Sequence, residues 1–275
     1  MHLIHINAEP ISPASDEMPP RIPTEGDFAH LPPALHVALT WPDPPESTTA
    51  FLILFHGLGD QEVSFAGFAK SLALPGVMGI SVRGTIPVPA AMLGEEPGAT
   101  PRHFHWGDDL TLNPKTGDLD TDPGFARAKE LVMERLVREI LLDKCGWELS
   151  DILFFGFGQG GSLALGLASQ LRLGPDVVDV TDGEPKVDRT AFKGVISIGG
   201  PLPPSMVPTV SSRSKSKTSV LLCQLDEEAQ DYVKTEFADV TTVKWRGGDI
   251  GMPRDREEVL PMMKFFADRL RDPLL

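Results

Sequence analysis

The spacing of hydrophobic positions along this chain changes period repeatedly, and the changes divide it into alternating strands and helices. Short runs with no polar alternation occur at AFLILFHG (50–57), VMGISVRG (77–84), DILFFGF (151–157), FKGVISI (192–198) and SVLLCQL (219–225). Such runs mark strands buried on both faces. LHVALTW (35–41) and VTTVKWR (240–246) read as two further strands. Helical spacing appears between them. In EVSFAGFAKSLAL (62–74) it places Phe65, Phe68, Ala69 and Leu72 on one face. In FARAKELVMERLVREILLDKCG (125–146) it aligns Leu131, Val132, Leu136, Val137, Ile140 and Leu141. Asp122 is the expected cap of that second helix, with Pro123 at its first position. Residues 159–172 and the closing REEVLPMMKFFADRLR (256–271) complete the helices.

Strands alternating with helices predict an α/β fold, a mostly parallel central sheet flanked by helices on both faces. The expected organisation is a Pro-rich amino-terminal arm over 1–34 and a single domain over 35–275. Seven prolines in 7–34 exclude a sustained helix or central strand there. A Gly/Pro-rich excursion at 85–117 is too long for a simple connection and is expected to form a lid or pocket wall, with Ile86, Val88, Met92 and Leu93 lining or filling an apolar channel. The acidic stretch 174–192 and the basic SSRSKSKTS (211–219) read as solvated loops.

Charge narrows the functional classes. A formal net charge of −14 repels phosphate backbones and anionic lipid head groups, so neither nucleic acid nor a membrane surface is the expected partner. No window approaches the ~18 apolar residues of a membrane span. Two cysteines, Cys145 and Cys223, form no disulfide framework and fit a reducing cytoplasmic or nuclear compartment rather than secretion. The first ten residues carry no Lys or Arg and do not read as a secretory signal.

Chemistry is expected outside the carboxyl ends of the strands. There lie HGLGD (56–60), the strand-to-helix turn Gly156-Phe157-Gly158-Gln159-Gly160-Gly161, and QLDEE (224–228). A strand-to-helix turn of pattern G-x-S-x-G is a nucleophile elbow, but here glycine holds the serine's place. With FHWGDD (104–109), these motifs resemble the phospholipase/carboxylesterase branch of the α/β-hydrolases, the group of acyl-protein thioesterases. The resemblance runs from about residue 35 to the end, with 174–192 as an addition. It implies an α/β-hydrolase fold, a site tryptophan at Trp106, and oxyanion donors at the backbone N–H groups of Leu58 and Gln159 beside His56 and Gly57. It also implies a triad whose nucleophile position is Gly158, whose acid position is Glu228, and whose histidine position falls at Ile250 before the last helix. Gln224 stands where the family has its loop histidine.

The departures fall on side-chain chemistry. All seven histidines lie at or before His105, so no general base precedes the last helix. A hydroxyl cannot be activated in the family's way without that base. Backbone donors are unaffected by such losses. Glycine also adopts elbow dihedrals that cost other residues on the order of 1–3 kcal/mol. Substitute chemistry is weakly signalled. Ser162 reads as a packing residue and Cys223 as a buried thiol. His103 and His105 with Asp108 and Asp109 read as loop packing, and Asp118 to Asp122 fails the calcium-loop pattern at Pro123 and Lys129. No cofactor and no metal is expected.

The reading that follows is a catalytically inactive α/β-hydrolase-fold protein that binds a protein partner or a small acyl or carbonyl ligand. The alternatives are an active carboxylesterase or thioesterase with a non-standard nucleophile, and a structural subunit with a closed pocket.

Overall fold

The computed structural model describes residues 19–96, 98–112, 117, 119–172, 191–209, 214–245 and 248–271. The first eighteen residues of the Pro-rich arm and nearly all of the acidic 174–192 stretch therefore lie outside the described residues.

Seven strands form the central sheet: β1 (Val37–Thr40), β2 (Ala50–Phe55), β3 (Val77–Val82), β6 (Ile152–Phe157), β7 (Gly194–Ile198), β8 (Val220–Cys223) and β9 (Val240–Val243). Their order is β1-β3-β2-β6-β7-β8-β9. Only β1 is antiparallel, through its pairing with β3. The remaining pairs are parallel, so their carboxyl ends share one edge. Every expected strand is present, shortened where polar residues begin.

The unbroken apolar run of β2 is explained by burial on both sides. Phe51, Ile53 and Phe55 join one core, while Ala50, Leu52 and Leu54 join the other. Each large side chain so placed contributes about 2 kcal/mol relative to exposure. The first core is covered by the helix 126–144, by α5 (Gln159–Ser169) and by α6 (Glu227–Glu236). The second is covered by α2 (Glu62–Leu72) and α7 (Arg256–Leu270). The layering is that of a doubly covered α/β sheet.

Helix 126–144 departs from expectation at both ends. It opens as α4 (Ala126–Lys129) and continues as a π-helix over Glu130–Lys144. At its end the Cys145 N–H reaches the Ile140 carbonyl, five residues back. Asp122 does not cap it. The Asp108 carboxylate instead accepts from the N–H groups of Ala126 and Arg127, at 2.8 and 3.0 Å. Asp122 binds the backbone and hydroxyl of Ser205, tying the segment between the excursion and the helix to the turn after β7. Gly124, with φ +75°, turns the chain between the two carboxylates and delays the helix.

The part of the arm that is described is docked, and it contains a short helix, α1 (Glu25–Phe28), which its proline content argued against. Pro23 ends before the helix starts, and Thr24 and Asp27 close a capping box. The Asp27 carboxylate binds the Arg21 guanidinium and, at 2.9 Å, the Lys144 ammonium, and these partners hold it well below the usual carboxylate range. The Trp147 indole donates to the Arg21 carbonyl, and the Arg21 N–H donates to the Cys145 carbonyl.

Within the excursion, β4 (Ile86–Pro87) pairs with β5 (Phe104–His105), and α3 (Ala90–Leu93) lies between them. Val88 is buried, but Met92 and Leu93 are exposed and line no enclosed channel.

Candidate functional site

The turn between β6 and α5 is built by close backbone approach. A Cβ on Gly160 would stand 2.3 Å from the Phe55 carbonyl oxygen, so only glycine lets the helix start this near β2. Gly158 has φ +52° and ψ −123°, a sharp turn that favours glycine. Its N–H donates to the Ile198 carbonyl at 2.8 Å, which fixes the elbow to β7. A Cβ on Gly158 would meet nothing closer than the Gly57 Cα at 3.9 Å. The missing side chain thus leaves open space, so a serine would meet no neighbour there and would face only the backbone strain of the positive φ.

His56 organises the opposite wall. Its Nε2 accepts from the Gly84 N–H at 2.7 Å, so the proton must sit on Nδ1, which donates to the Gly57 carbonyl at 2.7 Å. Burial pushes the ring's pKa down, in keeping with a neutral imidazole. Holding the Gly57 carbonyl inward turns the Leu58 N–H, on the other side of the same trans peptide, away from the ring. The Gln159 N–H opens α5 and has no acceptor within the helix. Its side chain is committed, since Oε1 accepts from the Trp106 N–H at 2.8 Å. The Trp106 indole donates to the His56 carbonyl at 2.8 Å and packs edge-on against Phe55. Trp106 is fully buried, and it braces these two walls from behind.

The positions assigned to acid and base have a different fate. The strands β7 and β8 end side by side, with the Gly199 N–H bonded to the Cys223 carbonyl at 2.8 Å. Gln224 donates weakly to the Gly199 carbonyl at 3.4 Å, and its Oε1 accepts from the Leu225 N–H. Ile250 lies over the same glycine: its Cγ2 is 2.4 Å from where a Gly199 Cβ would be, which φ +78° and the lack of a side chain make possible. Gly158, Gln224 and Ile250 thus converge on one turn. Glu228 does not. It is exposed in the first turn of α6, where Asp226 caps the helix by accepting from the N–H groups of Glu228 and Ala229. The Ser-Ile-Gly-Gly run that ends β7 was the overlooked feature; its paired glycines signalled a tight approach.

Other reactive groups are occupied or inert. Burial lifts the Cys223 thiol to about 11, and Ser162 is buried. His103 Nδ1 donates to the Gly59 carbonyl at 2.7 Å, and His105 is buried, which lowers its pKa. No group of His, Cys, Asp and Glu among the described residues is arranged to hold a metal ion.

Residues 42–177 match the phospholipase/carboxylesterase family model, a span that contains the elbow, HGLGD and Trp106 but ends before Gln224. Over that segment the chain is similar to the phospholipase/carboxylesterase branch of the α/β-hydrolases. An uncharacterized hydrolase of Schizosaccharomyces pombe is 33% identical over 159 residues, 56% of this chain and 54% of that protein. The chain therefore spans about half the length of that curated relative. Among solved structures, acyl-protein thioesterase 2 of Zea mays superposes with a TM-score of 0.58 at 19% identity, covering 86% of this chain and 99% of that one. Esterase PE8 superposes with a TM-score of 0.60 at 15% identity, covering the same shares. Both likenesses establish the α/β-hydrolase fold. No helix among the described residues is long and apolar enough to cross a membrane.

Proposed function

We propose that this α/β-hydrolase-fold protein is catalytically inactive and acts by binding, taking a small acyl or carbonyl group or a protein partner at the pocket between Leu58 and Gln159. The observation that carries the reading is the Gly199 turn. The residue that should deliver a base is Ile250, packed there as an apolar side chain, while the nucleophile position beside it has no side chain. Two independent losses in one constellation leave no proton relay. The N–H groups of Leu58 and Gln159 are the proposed oxyanion donors, made of backbone and oriented by His56 and the start of α5. The parent chemistry of this site is carboxylic ester or thioester hydrolysis.

Intact-mass analysis after exposure to a fluorophosphonate tests the reading, with an active thioesterase as control. The wild-type chain and Gly158→Ser are expected to take no adduct. Gly158→Ser combined with Ile250→His is expected to label slowly, since a serine–histidine pair without its acid runs about 10⁴-fold below a complete triad. An adduct on the wild-type chain or on Gly158→Ser alone would overturn the proposal, and peptide mapping would identify the substitute nucleophile.

A further inference from the structure

Two strands end the central sheet, and they differ. In β9 the two middle residues, Thr241 and Thr242, are exposed, whereas all four residues of β1 are half-buried. Among the described residues β1 pairs only with β3. The Arg83 N–H donates to the His36 carbonyl at 2.9 Å, which fixes the phase of that antiparallel ladder. His36, Ala38 and Thr40 therefore bond toward β3 through their backbone, and Val37 and Leu39 turn their N–H and C=O groups to the open side. A row of such groups is a template for one more strand.

Apolar side chains stand beside these groups. A groove of about 440 Å³ is lined by Phe28, Leu31 and Leu35 of the arm together with Val37, Leu39 and Trp41. Phe28 and Leu35 are buried, and the other four are half-buried against the first core. The arm is anchored at one end of β1, where the Trp41 indole donates to the Pro23 carbonyl at 3.4 Å. Unpaired backbone and an apolar groove together call for an extended segment with branched apolar side chains at alternate positions.

We propose that residues 2–7 of this chain (HLIHIN) pair with the open edge of β1 and lay Ile4 and Ile6 in the groove. Prolines at 10, 13, 19, 20 and 23 make residues 1–9 the longest stretch before the anchor able to donate every N–H. Ile4 and Ile6, two apart, share a face, while Leu3 and His5 take the other. Reach is sufficient. Residues 8–18, extended at about 3.1 Å each, span about 34 Å. Residues 19–22 and the four of β1 need about 13 Å each, so the segment reaches the edge in either direction. The tether selects this occupant, because it supplies an effective concentration on the order of millimolar, above that of a second copy at micromolar protein. Covering the edge in this way keeps it from pairing with other chains. The surface shares no residue with the Leu58–Gln159 pocket, and the inference does not depend on how that pocket is read.

Hydrogen exchange on the full chain, resolved to single amides by electron-transfer fragmentation, tests the pairing. Val37 and Leu39 are the reporters, and Ala38 and Thr40, bonded to β3, are the internal standard. In the full chain the reporters are expected to exchange at least about tenfold more slowly than in Ile4→Asp combined with Ile6→Asp, with the standard unchanged. His5→Asp, whose side chain faces away from the groove, should keep the protection within about twofold. Protection should also be the same at about 1 and about 100 µM protein, as a tethered strand requires. Reporters that exchange equally fast in the full chain and the double variant would overturn the inference. So would an equal loss in His5→Asp, or protection that disappears on dilution, which would make a second copy the occupant. If the standard shifts in the double variant, deletion of residues 2–7 replaces it and the same tenfold comparison decides.

Discussion

The two halves of the site have aged differently. The wall formed by HGLGD and the elbow differs from the family's motifs only at Gly158 and is braced through backbone, whereas the wall formed by the ends of β8 and β9 carries Gln224 and Ile250 where the resemblance implies histidines. The first half works through backbone: the Gly57–Leu58 peptide, the first N–H of α5, and glycines that permit close approach. Its geometry is also what lets β2, β6 and α5 pack, so changing it would damage the fold. The second half worked through side chains at loop ends, where an acid and a histidine add nothing to packing. Gln224 and Ile250 satisfy local polar and apolar needs there, and Asp226 caps a helix. A site under two kinds of constraint loses first the part that only the chemistry required.

The sharpest way to break this contrast is at Gly160. Gly160→Ala places a methyl 2.3 Å from the Phe55 carbonyl and 2.4 Å from the His56 carbonyl, both backbone atoms that cannot yield locally. The expected loss is about 3 kcal/mol or more, at the upper end for overpacked cores. Urea unfolding measures it. A loss below about 1 kcal/mol would mean that the elbow is not needed for packing, and the explanation for its retention would fail.

That distinction also governs what the sequence disclosed. The strands, their order of burial and the elbow were legible because each leaves a periodic or glycine-rich signature. β2 reads as an unbroken apolar run because alternate side chains enter different cores. The absence of a late histidine was legible by inspection. The start of helix 126–144 was not, because its cap comes from Asp108, eighteen residues upstream, while the nearer Asp122 binds Ser205. Glu228 illustrates a related limit, since the structure places it exposed in the first turn of α6. Counting along the chain assigns it the family's acid position but does not show that the residue lies within a helix. Trp106 read as a wall residue, and its two donors tie it to both sides of the site, the indole to the His56 carbonyl and the backbone N–H to Gln159 Oε1.

His56 sharpens the comparison at an intermediate size. His56→Ala removes an acceptor from the buried Gly84 N–H and the donor that holds the Gly57 carbonyl, an expected cost of about 2 kcal/mol. The same residue gives a pH signature. Burial depresses its folded-state pKa below the unfolded value, so the unfolded chain binds the proton first. Stability from this group is complete above the unfolded pKa and is lost as pH falls from about 7 toward the folded value. His105 adds in the same direction, again through burial. Asp27 titrates far lower, so its contribution stays constant over that window. The slope of unfolding free energy between about pH 7 and 5 should therefore flatten in His56→Gln. An unchanged slope would remove His56 as a neutral, structural imidazole.

The smallest effect decides whether the second half has changed its purpose. If the old acid loop now serves only as a helix start, Asp226→Ala should cost about 1 kcal/mol through loss of the N-cap, and Glu228→Ala less than about 0.5 kcal/mol. Both are measurable by chemical denaturation at constant salt. The order of the two values matters more than either size. A catalytic acid orients a base and is dispensable for folding; a cap is the reverse. A larger cost at Glu228 would mean that its carboxylate has a folded-state partner that its exposed position does not suggest. The acid half of the site would then be no more rewritten than the elbow.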